Sequence, residues 1–511
     1  MTGRMREVEL VDDVDVHVPA APARGAPSAA PAARSWPRRH ALWLVPALVL
    51  AVLGLVGTQS VLDARERNRI AALAEVPGVV PPASSDIGVI WRAPPELGTV
   101  MQGGAMVDGL MVGGAADDAG LVRVVALDPD TGATRWATPV TLPRLHPQPD
   151  GVIPSAWISC KAVQHVGRPL AGCASVQYGQ NIVGLPDSTI WVLDPSDGHV
   201  LSERRVAGTS DVAFAPEAIL VASRVDDTGG PARTDAGSVR WNVTATDPLD
   251  GTRLWTYTTP TVDVQGREDG PEAASASGGA NMETFGDQVV LSVDGNAWIL
   301  DGDGTLLRDQ PLDPGSWIQG ARAGAYVLSS LSSGAAYTGK LLLADGAEVS
   351  MAQTAAWLSV DDGSAPDVVL TVGDGPAGRI GITGRDAGTG DVLWDRPDAL
   401  TAALLLDGVV YLASFDELSA VDARSGKVHW TTTLDHQPRQ LSTDGRYLLV
   451  PGKKISLEAY ALTDGRLAWS KDLTEAVTGG SPTRLAQSFQ SSGRDPRLFV
   501  WMSDGAVAVL G

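Results

Sequence analysis

The stretch Ala126–Trp136, "ALDPDTGATRW", returns at Ala245–Trp255 as "ATDPLDGTRLW" and at Ala420–Trp430 as "AVDARSGKVHW". In each, an Asp is followed four residues later by Gly and four further on by Trp: Asp128, Gly132 and Trp136; Asp247, Gly251 and Trp255; Asp422, Gly426 and Trp430. "RDAGTGDVLW" repeats it with Asp386, Gly390 and Trp394. "YALTDGRLAW" keeps Gly465 and Trp469 but has Ala461 in the Asp place, and "LDPSDGHVLS" keeps Asp194 and Gly198 but ends in Ser202. The apolar residues ahead of each Asp read as a strand, and the Asp carboxylate can accept hydrogen bonds from the backbone of the turn it opens. The Gly supplies the positive φ of a tight turn, and the next strand runs out to the Trp. An indole buries roughly 150–250 Å², so one per repeat is expected to wedge each small sheet against its neighbour.

The rest of the chain from about Ile87 has the same texture. "AILVASRV" (Ala218–Val225), "DQVVLSV" (Asp287–Val293), "GVVYLAS" (Gly408–Ser414) and "RYLLVPG" (Arg446–Gly452) are short branched apolar runs, each closed by a turn signal. Such runs are strands, long helical periodicity is absent, and repeats tens of residues long in a strand-rich chain define a propeller or a solenoid. A lone four-stranded sheet cannot hide both faces, whereas sheets stacked in a ring can.

The run A-x-D-x-x-T-G-x-x-x-W, carried by Ala126, Asp128, Thr131, Gly132 and Trp136, resembles the tryptophan-docking repeat of PQQ-like (pyrroloquinoline quinone) β-propellers. The resemblance covers roughly residues 85–511 and implies an all-β propeller. Corners or their relics number nine, including "WILDGDGTLL" and "LLLADGAEV", where the pattern fades. Eight blades are expected, within a range of seven to nine, with one segment degenerate. The C-terminal "LFVWMSDGAVAVLG" stops where a Trp strand is due, and "DIGVIWRAPP" near the start offers Gly88 and Trp91. Residues 87–93 are therefore expected to complete the last blade, which removes an open edge.

Ahead of the propeller, residues 1–40 are rich in Ala, Pro and Ser and are expected to form a disordered tail. Residues 41–62, "ALWLVPALVLAVLGLVGTQSVL", hold no charge over a length that fits a membrane-crossing helix; a cleaved signal peptide is the rival reading. Residues 63–84 are read as a juxtamembrane helix and linker. Arginines 34, 38 and 39 before the helix balance arginines 65, 67 and 69 after it, so charge does not orient it. A large β-rich domain with a possible disulfide belongs outside, so the chain is expected in the cell membrane as a single-pass protein, N-terminus cytoplasmic, propeller outside and monomeric. Cys160 and Cys173, the two cysteines of the chain, flank a Gly-Arg-Pro turn within hairpin reach; a disulfide is expected, two buried thiols being the alternative.

The net charge of −21 has the wrong sign for neutralising phosphates, which sets nucleic acid aside as a partner. Neither a Gly-x-Ser-x-Gly elbow nor a P-loop occurs, and "DGDGT" at Asp301–Thr305 lacks the later ligands of a calcium loop. The resemblance implies either a quinoprotein dehydrogenase or a propeller scaffold. Dehydrogenases of the family use a disulfide between adjacent cysteines, which Cys160 and Cys173 are not, and no calcium ligands can be assigned. The expectation is a non-enzymatic scaffold without cofactor that binds a protein or cell-envelope ligand, with the insertions at 139–151, 226–237 and 265–279 as candidate binding loops. A sensor signalling to the tail is a variant of the same reading.

Overall fold

The computed structural model describes residues 69–511 apart from 70–71, 74–75, 117–120, 143–154, 179–186, 208–209, 227, 231, 233–237, 264–279, 294, 314–315, 321, 332–336, 375–379, 398–399, 478–481 and 488–496. The expected tail and membrane helix lie outside these residues, as do most of the insertions at 139–151 and 265–279.

Each Gly-closed apolar run forms a strand, and the described residues build nine sheets, each an antiparallel meander at its core. In chain order from the channel outward, blade 1 is Ala105–Val107, Leu110–Ala116, Val122–Leu127 and Thr134–Pro139. Blades 2 to 8 follow the same order, ending in outer strands Val200–Val206, Arg253–Thr258, Leu306–Pro311, Glu348–Met351, Val392–Arg396, Val428–Thr433 and Leu467–Asp472. Nine is the upper end of the expected range and one more than the eight preferred: "WILDGDGTLL" and "LLLADGAEV" each belong to a complete sheet, blades 4 and 5, so no segment is spare.

Blade 9 combines both ends of the chain. Pro482–Gln487, Leu498–Met502 and Val507–Leu510 supply three strands, and Val89–Ala93 supplies the outermost, with Val89 facing Leu510 and Arg92 facing Ala508. The corner that a continuous chain would form is replaced by a pair of backbone bonds, Gly88 N–H to Gly511 O at 3.2 Å and Gly511 N–H to Gly88 O at 3.1 Å.

The core is distributed rather than central. The buried side chains fall into nine clusters, and each joins two consecutive blades, including Phe499 and Val507 of blade 9 with Met111 and Leu127 of blade 1. Nine clusters on nine sheets require a closed ring; an open stack would have one fewer. Blade 2 has the longest inner hairpin, Ser155–His165 with Arg168–Tyr178, and Cys160 and Cys173 face each other across it in a disulfide.

Candidate functional site

The repeated corner joins the third strand of a blade to its fourth. At Asp128 the backbone closes a loop, with Gly132 N–H donating to Asp128 O at 2.8 Å and Asp128 N–H to Ala133 O at 2.9 Å. Asp128 Oδ1 accepts from the N–H groups of Asp130 and Thr131, both at 3.0 Å, and Arg135 bonds Oδ2. The Arg135 hydrogen bond is the main reason that the Asp128 carboxyl sits below its ordinary pKa. Asp247 and Asp386 cap their turns in the same way, as does Asp422, where the Ser425 hydroxyl leads in lowering the pKa. Ala461 lacks the carboxylate, yet Gly465 N–H still reaches Ala461 O at 2.9 Å: the cap is optional and the glycine is not.

The reason lies in the preceding blade. Gly132 has φ +68°, and a Cβ built there would stand 2.3 Å from the Trp91 ring of blade 9. Likewise the side chains of Trp136, Trp255, Trp394 and Trp430 lie over Gly198, Gly304, Gly426 and Gly465, their nearest atoms all 2.4–2.5 Å from the absent Cβ. Each indole N–H donates to the carbonyl of the residue after the corner's first position: Trp91 to Pro129, Trp136 to Pro195, Trp255 to Gly302, Trp394 to Ala423 and Trp430 to Leu462, at 2.7–2.9 Å. The glycine thus serves twice, for its backbone and as the flat floor on which the neighbour's indole lies. Trp469 packs half-buried into the cluster around Ile87 and Leu510, where the two ends of the chain meet. Trp91, Trp136 and Trp394 are only 8% exposed, whereas Trp255, Trp430 and Trp469 are half-buried.

Three seams have no indole, and sequence reading missed what replaces it. From blade 2, Arg204 donates to Asp247 O at 3.3 Å and Pro248 O at 3.2 Å, and its guanidinium covers Gly251. From blade 4, Arg308 occupies the Trp place four residues after Gly304 and donates to Leu343 O at 3.0 Å. From blade 5, Val349 lies on Gly390. Guanidinium stacking and donation to carbonyls make Arg a workable substitute for an indole. Those three seams hold the smallest cores, six or seven buried residues each against eleven to fifteen at indole-docked seams.

The two faces of the ring differ. First-to-second strand turns and the Asp–Gly corners share one face, and in most blades these turns are short. The other face carries the second-to-third strand loops and the connections between blades. Pro139 and Asp226, where two of the insertions begin, are on this loop-bearing face. Two large aromatics stand out at blade 7. Trp357, 75% exposed, precedes Leu358–Asp361, an extra innermost strand parallel to Ala402–Leu406; Phe415, 53% exposed, tips the loop after Val409–Ala413. Leu358 faces Ala403 and Ala402 faces Ala413, so both aromatics emerge at the same end of blade 7. Beside them a small cleft between blades 6 and 7 is lined by Arg396, Leu400, Ser414 and Glu417, with Arg396 and Glu417 paired at 3.7 Å.

Chemistry-bearing groups are dispersed. Among the described residues no group of three or more His, Cys, Asp and Glu side chains is placed to hold a metal ion, and no helix is long and apolar enough to cross a membrane. "DGDGT" forms the blade 4 corner, with Asp301 Oδ1 accepting from Asp303 and Thr305 N–H. Asp211, on the innermost strand of blade 3, reaches across to accept the Met282 N–H of blade 4 at 2.6 Å. Burial pushes this carboxyl up to about 6, against opposing hydrogen bonds from Met282 and Val212 N–H. The unfolded chain ionises this group near 3.8 while the folded one holds its proton to about 6. This site therefore adds stability at low pH that is lost as pH rises from about 4 to 6, about 2 kcal/mol in all. Denaturant titrations at pH 4.5 and 7 are expected to show this loss in wild type and not in Asp211→Asn.

The described residues thus build a closed nine-sheet β-propeller in which indoles lie on a neighbour's corner glycine at five of the seams. Within it, residues 376–510 match the family model described as "Outer membrane protein assembly factor BamB". Similar solved structures include BamB from Moraxella catarrhalis, at 14% identity over 83% of this chain and 97% of that one, with a TM-score of 0.39. Saccharomyces cerevisiae Sqt1 is similar at 10% identity over 83% of this chain and 98% of its own, with a TM-score of 0.40. A eukaryotic initiation factor shares 11% identity over 77% of this chain and 90% of its own, with a TM-score of 0.42. No curated protein sequence matches the chain.

Proposed function

We infer that this chain is a membrane-tethered extracytoplasmic propeller that serves as a protein-binding scaffold. The observation that carries the binding reading is the pair Trp357 and Phe415, exposed together at one end of blade 7. Large exposed aromatics are the side chains that anchor protein interfaces, and loops held on a rigid frame are where binding residues collect. Arg69 bonds Asp407 at 3.0 Å on the face opposite to these aromatics. The tether reading rests on the uncharged stretch 41–62, and the match to the BamB model over 376–510 favours an envelope setting.

A photo-crosslinking amino acid placed at 357 or 415 in the membrane-embedded full chain is expected to capture a discrete protein partner. The same group at 109, in a tight turn of blade 1 on the other face, is expected to capture none. Equal capture from both faces, or none from 357 and 415, would overturn the reading.

A further inference from the structure

Residues 63–84 are read from sequence as juxtamembrane helix and linker; the described residues from Arg69 to Ile87 are held against the ring. Arg69 Nε donates to Asp407 of blade 7 at 3.0 Å, and Leu73, 6% exposed, lies against Gly445 of blade 8. Val79 forms a parallel bridge with Thr443, and Val80 N–H donates to Thr443 O at 2.8 Å. Ala83 N–H donates to Asp444 Oδ2 at 3.0 Å. Val79 belongs to the core shared by blades 7 and 8, and Val80 and Ile87 to that of blades 8 and 9. Gly78 passes so close to the extra inner strand that a Cβ there would stand 2.4 Å from Ser359 O, and its φ is +92°. Immediately afterwards the chain becomes the closure strand Val89–Ala93.

We propose that the described residues between Arg69 and Ile87 act as a clasp that shields the ring's closure from disturbance arriving along the N-terminal chain. The closure strand is held by backbone pairing to Val507–Leu510 and by the Trp91 dock. A pull transmitted from residue 68 meets the ion pair at Asp407 and the buried leucine and valines at blades 7 and 8 first. Only when these have let go does the load reach Gly88. The clasp also crosses two seams of the ring, so it resists the opening that loss of closure would start. This goes beyond the scaffold reading and does not depend on what blade 7 binds.

The test is single-molecule pulling on the full chain between handles at Met1 and Gly511. In wild type, ring opening is expected to be preceded by a separate step of roughly 60 Å, the length of the 19 residues released. In Gly78→Val, whose side chain cannot seat against Ser359, that step is expected to vanish and the closure strand to rupture first, at lower force. Hydrogen exchange on the unloaded full chain provides a second readout. Amides of residues 441–450 should exchange at least tenfold faster in Gly78→Val, while those of the disulfide-bonded hairpin Ser155–Tyr178 stay unchanged, which shows that the ring has folded. Identical pulling traces for the two proteins, or unchanged exchange at 441–450, would overturn the proposal.

Discussion

Trp91→Ala is expected to destabilise the ring more than any other single indole replacement, by about 3–5 kcal/mol, the range for deleting a buried large aromatic. Trp91 is 8% exposed, donates to Pro129 at 2.8 Å and covers Gly132. What sets it apart is its place. Other indoles sit on strands that belong to their blade by chain continuity. Trp91 instead sits on a strand that the chain carries on into blade 1 and that holds the rest of blade 9 only by pairing to Val507–Leu510, so this seam carries the ring's closure. Stability in such an array is close to a sum over neighbouring units, so loss of this one seam turns a ring into a stack with two free ends. Hydrogen exchange should report it first in the strands of blades 9 and 1. Trp255→Ala, at a half-buried and covalently continuous seam, should cost less.

Gly132→Ala is the second large effect, expected at about 2–4 kcal/mol. Part is the cost of an L-residue at φ +68°, about 1–2 kcal/mol, and the rest is overpacking against the Trp91 ring 2.3 Å from the new methyl. The two changes are coupled. With Trp91 already alanine the methyl loses its three nearest contacts, so Gly132→Ala should then cost little beyond the backbone share, about 1–2 kcal/mol. Denaturant unfolding of the two single variants and the double, set out as a cycle, measures that coupling. Strict additivity would show that the glycine is needed for its turn alone and that the indole does not lie on it.

What the sequence made legible were the features that depend on one residue type. Asp, Gly and Trp at fixed offsets cannot be exchanged freely, so the corners at Asp128, Asp247, Asp386 and Asp422 announced themselves. The corner at Gly198 is readable from Asp194 and its glycine, and the one at Gly465 from its glycine and Trp469, because the local Trp is dispensable in the first and the carboxylate cap in the second. Blades 2, 4 and 5 were dim for a physical reason: Arg204, Arg308 and Val349 perform the docking with other chemistry. Arg308 could have been found, since it stands in the Trp place four residues after Gly304. Arg204 is harder, because it reaches its neighbour's corner from two positions beyond Ser202.

The blade count moved from eight to nine on the same account. A faded corner does not make a spare segment: a strand needs only its apolar face to pair, and "LLLADGAEV" has one. The segment 69–87 was illegible for a different reason. Its partners, Asp407, Thr443 and Asp444, lie far down the chain, and nothing in a short apolar run before a propeller says which edge it will bind. Trp357 and Phe415 gave no signal either, since a sequence does not distinguish an exposed aromatic from a core one. Their significance comes from the face they share.

The measurement that bears most directly on the closed ring is a cross-link across its seam. Val89 and Leu510 face each other in neighbouring strands of blade 9, a placement that suits a disulfide. Full-length protein carrying Val89→Cys and Leu510→Cys, with Cys160 and Cys173 changed to Ala, should oxidise to a monomeric species that migrates as a closed loop on denaturing gels and reverts on reduction. Persistent free thiols, or cross-links formed only between molecules, would contradict a ring in which the first strand completes the last blade.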